Sequence, residues 1–133
     1  MALSADRNTP MKDGELVNVP VATNTKIYAG ALVALNASGY ATPGAVATTL
    51  TYLGRAEEQA DNTGGANGAK TVNVRRKKAF KWKNHGADAI VQADLGKTCY
   101  IVDDETVAKT DGTATRAAAG KVVGLDSDGV WVE

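Results

Sequence analysis

At 133 residues the chain is long enough for one domain with a core that needs neither disulfide nor metal. Hydrophobic residues make up 44% and charged residues 23%, and fifteen basic side chains cancel fifteen acidic ones, a balance that argues against general attraction to polyanions. No apolar run approaches the roughly 20 residues of a membrane-spanning helix, and Met1 to Arg7 lack the apolar core of a signal peptide, so a soluble chain made in a cytoplasm is expected.

Residues 1 to 13 are polar, with Pro10 and a Met-Lys-Asp run, and read as an extended arm. Residues 14 to 133 read as one β-rich domain. From Glu15 the period changes: Val17, Val19 and Val21 alternate with Leu16, Asn18 and Pro20. Pro20 cannot donate to a ladder, which places this strand at an edge or its end. Gly30 to Leu35, the turn Asn36-Ala37-Ser38-Gly39 and Tyr40 to Thr42 predict a strand, turn and return strand closed by Pro43-Gly44. A second alternation runs from Leu50 to Glu58. Asp61 to Gly68, rich in glycine and amides, predicts a flexible loop or hairpin tip.

Thr71 to Lys83 is the longest strand candidate. An extended chain there puts Arg75, Lys77, Lys81 and Lys83 on one face with Thr71, Asn73 and Ala79, and Val72, Val74, Arg76, Lys78, Phe80 and Trp82 on the other. Ala87 to Leu95, between Gly86 and Gly96, is the best candidate for a short helix. The last forty residues predict two hairpins. One turns at Asp103-Asp104-Glu105 between Cys99–Val102 and Thr106–Ala108; the other turns at Asp126-Ser127-Asp128-Gly129 between Val122–Leu125 and Val130–Val132. Gly30–Thr42, Gly96–Ala108 and Gly120–Val132 share one grammar of glycine, β-rich run, Asn or Asp turn and return, without a fixed repeat period. The predicted fold class is all-β, a small antiparallel barrel or sandwich of short hairpins with at most one short helix. With one Phe, two Trp and four Tyr, aliphatic and alanine side chains must fill most of its core, and oligomerisation could bury more.

Chemistry-bearing motifs are sparse. Lys70 to Lys83 hold seven cations and no acid, preceded by Glu57, Glu58 and Asp61 and followed by the acidic turns. The basic face reads either as a patch for an acidic partner or as a solvated strand face guarding an edge. Nucleic-acid binding is the weaker reading, because the net charge is zero and Phe80 and Trp82 lie on the opposite face. Asp103-Asp104-Glu105 and Asp126-Ser127-Asp128-Gly129 could serve a hard cation, but the second lacks the closing Glu of a calcium loop and both sit where hairpins need turn residues. No metal site is expected. Cys99 is the single cysteine, so no internal disulfide forms; it reads as a buried thiol, with His85 the one imidazole that could activate it otherwise. Gly64-Gly65-Ala66-Asn67-Gly68 lacks the Lys-Ser/Thr ending of a phosphate loop. The expectation is a chain that is not an enzyme, with no catalytic residue and no cofactor.

Four segments carry a resemblance. They are Met1 to Pro10; Lys26-Ile27-Tyr28-Ala29-Gly30-Ala31-Leu32-Val33-Ala34-Leu35; Leu53-Gly54-Arg55-Ala56-Glu57-Glu58 with Asp61 to Gly65; and Asp94 to Asp104 with Thr106-Val107-Ala108. As a linear set they resemble the head decoration, or structural cement, proteins of tailed phages and Mu-like prophages, over nearly the whole chain. The resemblance implies a β-tulip-like virion protein on the outer surface of the assembled capsid, where trimers stabilise the shell. Its implied partners are the major capsid protein and its own copies, a homotrimer, with neither nucleic acid nor membrane. It carries over no catalytic residue. The contact residues expected here are Leu3, Asp6, Arg7, Pro10 and Met11 of the arm and Arg75, Lys77, Lys81 and Lys83 of the basic face. Two other classes stay open: a tail or head-completion component, and a displayed carbohydrate-binding module using Tyr28, Tyr40, Trp82 or Trp131. Trp131 alternates with the polar tail and is expected to pack against the barrel end.

Overall fold

In a computed structural model that describes residues 1–133, the chain forms twelve short strands and no α-helix. Five of them, β1 (Leu16–Pro20), β3 (Leu32–Leu35), β4 (Ala41–Pro43), β5 (Thr51–Ala56) and β7 (Thr71–Arg75), make an antiparallel sheet in the order β1-β7-β5-β3-β4. β2 (Thr25–Ile27) and β6 (Ala60–Asn62) pair as a separate ribbon. β8 (Phe80–Asn84), β9 (Thr98–Ile101), β10 (Thr106–Ala108), β11 (Ala118–Asp126) and β12 (Gly129–Val132) close into a barrel. The fold is therefore all-β, as expected, with an open sheet beside a barrel. One pair departs from the antiparallel expectation, since β8 and β10 run parallel and close the barrel after the intervening chain has crossed from one to the other.

Side-chain alternation explains the layering. On β3, Leu32 and Ala34 enter the barrel core with Phe80, Trp82, Ile101 and Val130, while Val33 joins Val72, Val74 and Ile27 in a second core on the other face of the sheet. Burial on both faces is why Leu32-Val33-Ala34-Leu35 is an unbroken apolar run. β1 presents Val17 and Val19 opposite Val74 and Val72, and Pro20 ends this edge strand as its missing donor requires. The Asn36–Gly39 turn is locally encoded: Asn36 Oδ1 accepts from the Ser38 and Tyr40 N–H groups, and Gly39 supplies φ +84°.

Two expectations fail for tertiary reasons, and one predicted loop proves to be anchored. The run Thr71–Lys83 is two strands in different sheets, broken at Arg76–Ala79, where Lys77 takes φ +61°. The segment Ala87–Leu95 is not a continuous helix but two 3-10 turns, Gly86–Asp88 and Gln92–Asp94. Asn84 binds both the N–H and the C=O of Ile90, which takes that backbone out of helical pairing and sets Ile90 in the core. The Asp61–Gly68 loop is anchored to the chain around Ala22: buried Asn62 donates to the carbonyls of Ala22 and Ala66, and Asn67 Oδ1 accepts from Thr23 N–H. Both C-terminal hairpins form, although β11 starts at Ala118, ahead of the Gly120 at which the unit was expected to begin.

Candidate functional site: the arm and the charged surface

Residues 1 to 13 are exposed throughout and belong to no strand. Leu3 is 74% and Met11 98% exposed, and Arg7 donates only to Thr9, two residues away. No hydrogen bond joins residues 1 to 12 to the body; Asp13 caps Glu15 N–H where the chain enters β1. Leu3, Asp6, Arg7, Pro10 and Met11 thus lie together on a segment that its own domain leaves uncovered.

The basic residues are placed differently from expectation. Arg75 sits on β7, Lys77 in the β7–β8 connection, and Lys81 and Lys83 on β8 in the barrel, so they do not form one strand face. Parity holds only within each strand: Val72 and Val74 point inward on β7, and Phe80 and Trp82 on β8. Cations separated from acids in sequence meet them in space. Lys81 Nζ lies 3.0 Å from Asp128 and 3.9 Å from Asp126, Lys83 2.8 Å from Glu105, Lys78 3.2 Å from Glu15, and Arg75 3.5 Å from Glu57, which also holds Arg55. The hydrogen bond from Lys83 holds Glu105 and raises the lysine's own pKa, and the one from Lys81 holds the Asp128 carboxyl below its ordinary range. These pairs are solvent-exposed, so each contributes little to stability, but together they neutralise the expected patch. Of the seven cations in the block, Lys70, Arg76 and Lys77 make no ion pair.

Charge reversal at Lys81 puts a third carboxylate beside Asp126 and Asp128. Lys81→Glu is expected to lower the unfolding temperature by a few degrees at low salt and by less in about 1 M salt. A thermal melt unchanged at both salt levels would sink this pairing.

The acidic turns are occupied by protein groups. Asp103 Oδ1 accepts Glu105 N–H, and Asp126 Oδ2 accepts Trp131 Nε1. Trp131 lies across Gly124 on the outside of the barrel, with Lys81 Nζ 5.8 Å from its ring centre, and is 36% exposed. It packs flat on the barrel wall, braced by neighbours on two strands. Trp82 is buried, Tyr40 half-buried, and Tyr28 is 58% exposed with Lys26 Nζ 5.0 Å from its ring centre. Cys99 is buried in the barrel core, and burial pushes its thiol up to about 11, so it stays protonated at neutral pH.

Two arrangements gave no sequence signal. Asp88 accepts from the Thr110 hydroxyl and N–H and from Arg116 Nη1, clamping a loop in which Gly112, Thr113 and Ala114 all take left-handed φ. A cavity of about 330 Å³ opens between the Tyr28–Ala31 turn and Asp104-Glu105. Both join turns far apart in the chain, where the local pattern reads only as turn chemistry. Comparisons with family models, curated proteins and solved structures return no match for this chain.

Proposed function

We propose that this chain is a capsid decoration protein of a tailed phage or Mu-like prophage, a structural cement that binds the outer surface of the assembled head as trimers. The observation that carries the reading is the arm: thirteen exposed residues, Leu3 and Met11 among them, of which only Asp13 is hydrogen-bonded to the body, preceding an all-β domain in which most cations of the basic block pair internally. A segment of this kind gains burial only from another molecule. A shell coated by many copies gains from such contacts collectively, since linked weak contacts add through avidity. The resemblance of four segments to head decoration proteins suggests the identity of that other molecule: the major capsid protein or an adjacent copy of the chain on the shell.

Mixing purified protein with empty expanded heads and counting bound copies tests the reading. Hundreds of copies per particle in groups of three are expected. A dozen or fewer would indicate a vertex, tail or head-completion component instead, and none would remove the claim.

A further inference from the structure

The cavity beside Tyr28 has the chemistry of a receptor for a single cationic side chain. Tyr28 to Ala31 form a tight turn, with Ala31 N–H donating to the Tyr28 carbonyl and Gly30 at φ +83°. A side chain at Gly30 would meet nothing within 4 Å, so the turn leaves the space in front of it open. Across that space stands the β9–β10 turn, fastened to the sheet by the bond from Leu32 N–H to the Asp104 carbonyl, 2.7 Å. The cavity therefore lies where sheet and barrel meet, and both its walls are backbone-fixed.

Its charges are not equivalent. Asp103 is used as a cap and Glu105 by Lys83, while the half-buried Asp104 carboxylate has neither a hydrogen bond nor an ion pair. Lys26 stands over the Tyr28 ring, and Asp104 is the carboxylate lining the cavity that has no partner. With one cation already over the ring, a further one is drawn by the unengaged carboxylate, and a guanidinium suits it by binding a carboxylate with two donors and packing its plane against the cavity wall.

We infer that this cavity receives Arg7 from the arm of a second copy of the chain, so that arms link neighbouring copies. The arm carries two basic side chains, Arg7 and Lys12, and neither makes a hydrogen bond or ion pair with its own body. From the start of the body at Gly14, the seven residues back to Arg7 can span about 25 Å when extended, enough to reach a domain packed directly beside this one. The inference rests on the proposed reading for the role of the arm, and adds where the arm docks and through which residue.

The test uses the full-length chain in sedimentation and in disulfide trapping. Arg7→Glu and Asp104→Arg should each weaken self-association by about tenfold or more, and the double swap should restore it, since the pair is re-formed with its charges exchanged. Arg7→Lys should recover only part, because an ammonium cannot form the two-donor contact. Mixed R7C and D104C proteins should form a disulfide-linked dimer, with Cys99 buried and inert. A chain that stays monomeric at high concentration overturns the inference, as does an Arg7→Glu variant that associates like the parent. So does a double-cysteine chain that closes on itself at high dilution. A chain that associates through Arg7 and Asp104 yet leaves heads bare would overturn the cement reading and keep this one; a monomer that coats heads would do the reverse.

Discussion

Removing Met1 to Asp13 is expected to abolish binding to expanded heads while leaving the domain folded. The arm makes no hydrogen bond to the body before Asp13, contributes nothing to either core, and leaves Leu3 largely and Met11 almost fully exposed. Its loss therefore withdraws one exposed hydrogen bond, that of Asp13 with Glu15 N–H, and the stability of residues 14 to 133 should match that of the whole chain within about 1 kcal/mol. Binding should respond quite differently. If arms link copies on a shell, each one lost removes an intramolecular closure, and the affinity for heads should fall by about a hundredfold or more. Copy counting on heads and a melt of the same preparation separate the two effects. Heads that bind the shortened chain at full occupancy would show that the arm is not the contact, and a shortened chain that fails to fold would show that it belongs to the core.

Gly54→Ala should be among the most damaging single-atom additions in the molecule. Gly54 lies on β5, opposite Val33 of β3, and a methyl group there would stand against the Arg75 carbonyl oxygen, far inside van der Waals contact, and 3.3 Å from Arg76 Cα. Those atoms are backbone and cannot rotate aside. β5 is also the centre of the five-stranded sheet, hydrogen-bonded to β7 and β3, so moving it disturbs both neighbours and the two cores that flank them. A loss of about 3 kcal/mol or more is expected, at the upper end for overpacking because the obstacle is main chain. Gly86→Ala is the matched control: nothing lies within 4 Å of its added methyl and it has no left-handed φ, so its denaturation midpoint should barely move. Equal midpoints for the two variants would mean that β5 and β7 separate more easily than their register implies.

Much of the local structure was legible. Valine alternation located β1, Pro20 marked its end, Asn36 and Gly39 announced their turn, and the two acidic turns located the C-terminal hairpins. These signals are legible because each depends on residues a few positions apart: side-chain parity, a missing donor, an amide that caps its own backbone. The helix expected over Ala87–Leu95 was misread because Asn84, outside the segment, claims the backbone of Ile90.

The charged surface shows the limit most clearly. In sequence the cations of Arg75 to Lys83 stand apart from the carboxylates of Glu57, Glu105, Asp126 and Asp128, and separation suggested a basic face for a foreign partner. In space Lys81 lies opposite Trp131 on β12, whose turn carries Asp128, and Lys83 opposite Thr106, beside Glu105. Charge complementarity that reads as an offer to another molecule is largely consumed within this one. Asp104 remains outside that exchange, which is visible only after its neighbours have been assigned.

The sequence by itself determined the all-β class and most hairpin turns, together with the resemblance from which the cement reading starts. Only the tertiary structure decided that Thr71–Lys83 divides between a sheet and a barrel, that β3 serves two cores, and which carboxylates keep a free charge. The reason is that alternation and turn chemistry are properties of neighbours along the chain. Sheet membership and ion pairing depend on which distant strands come to lie side by side.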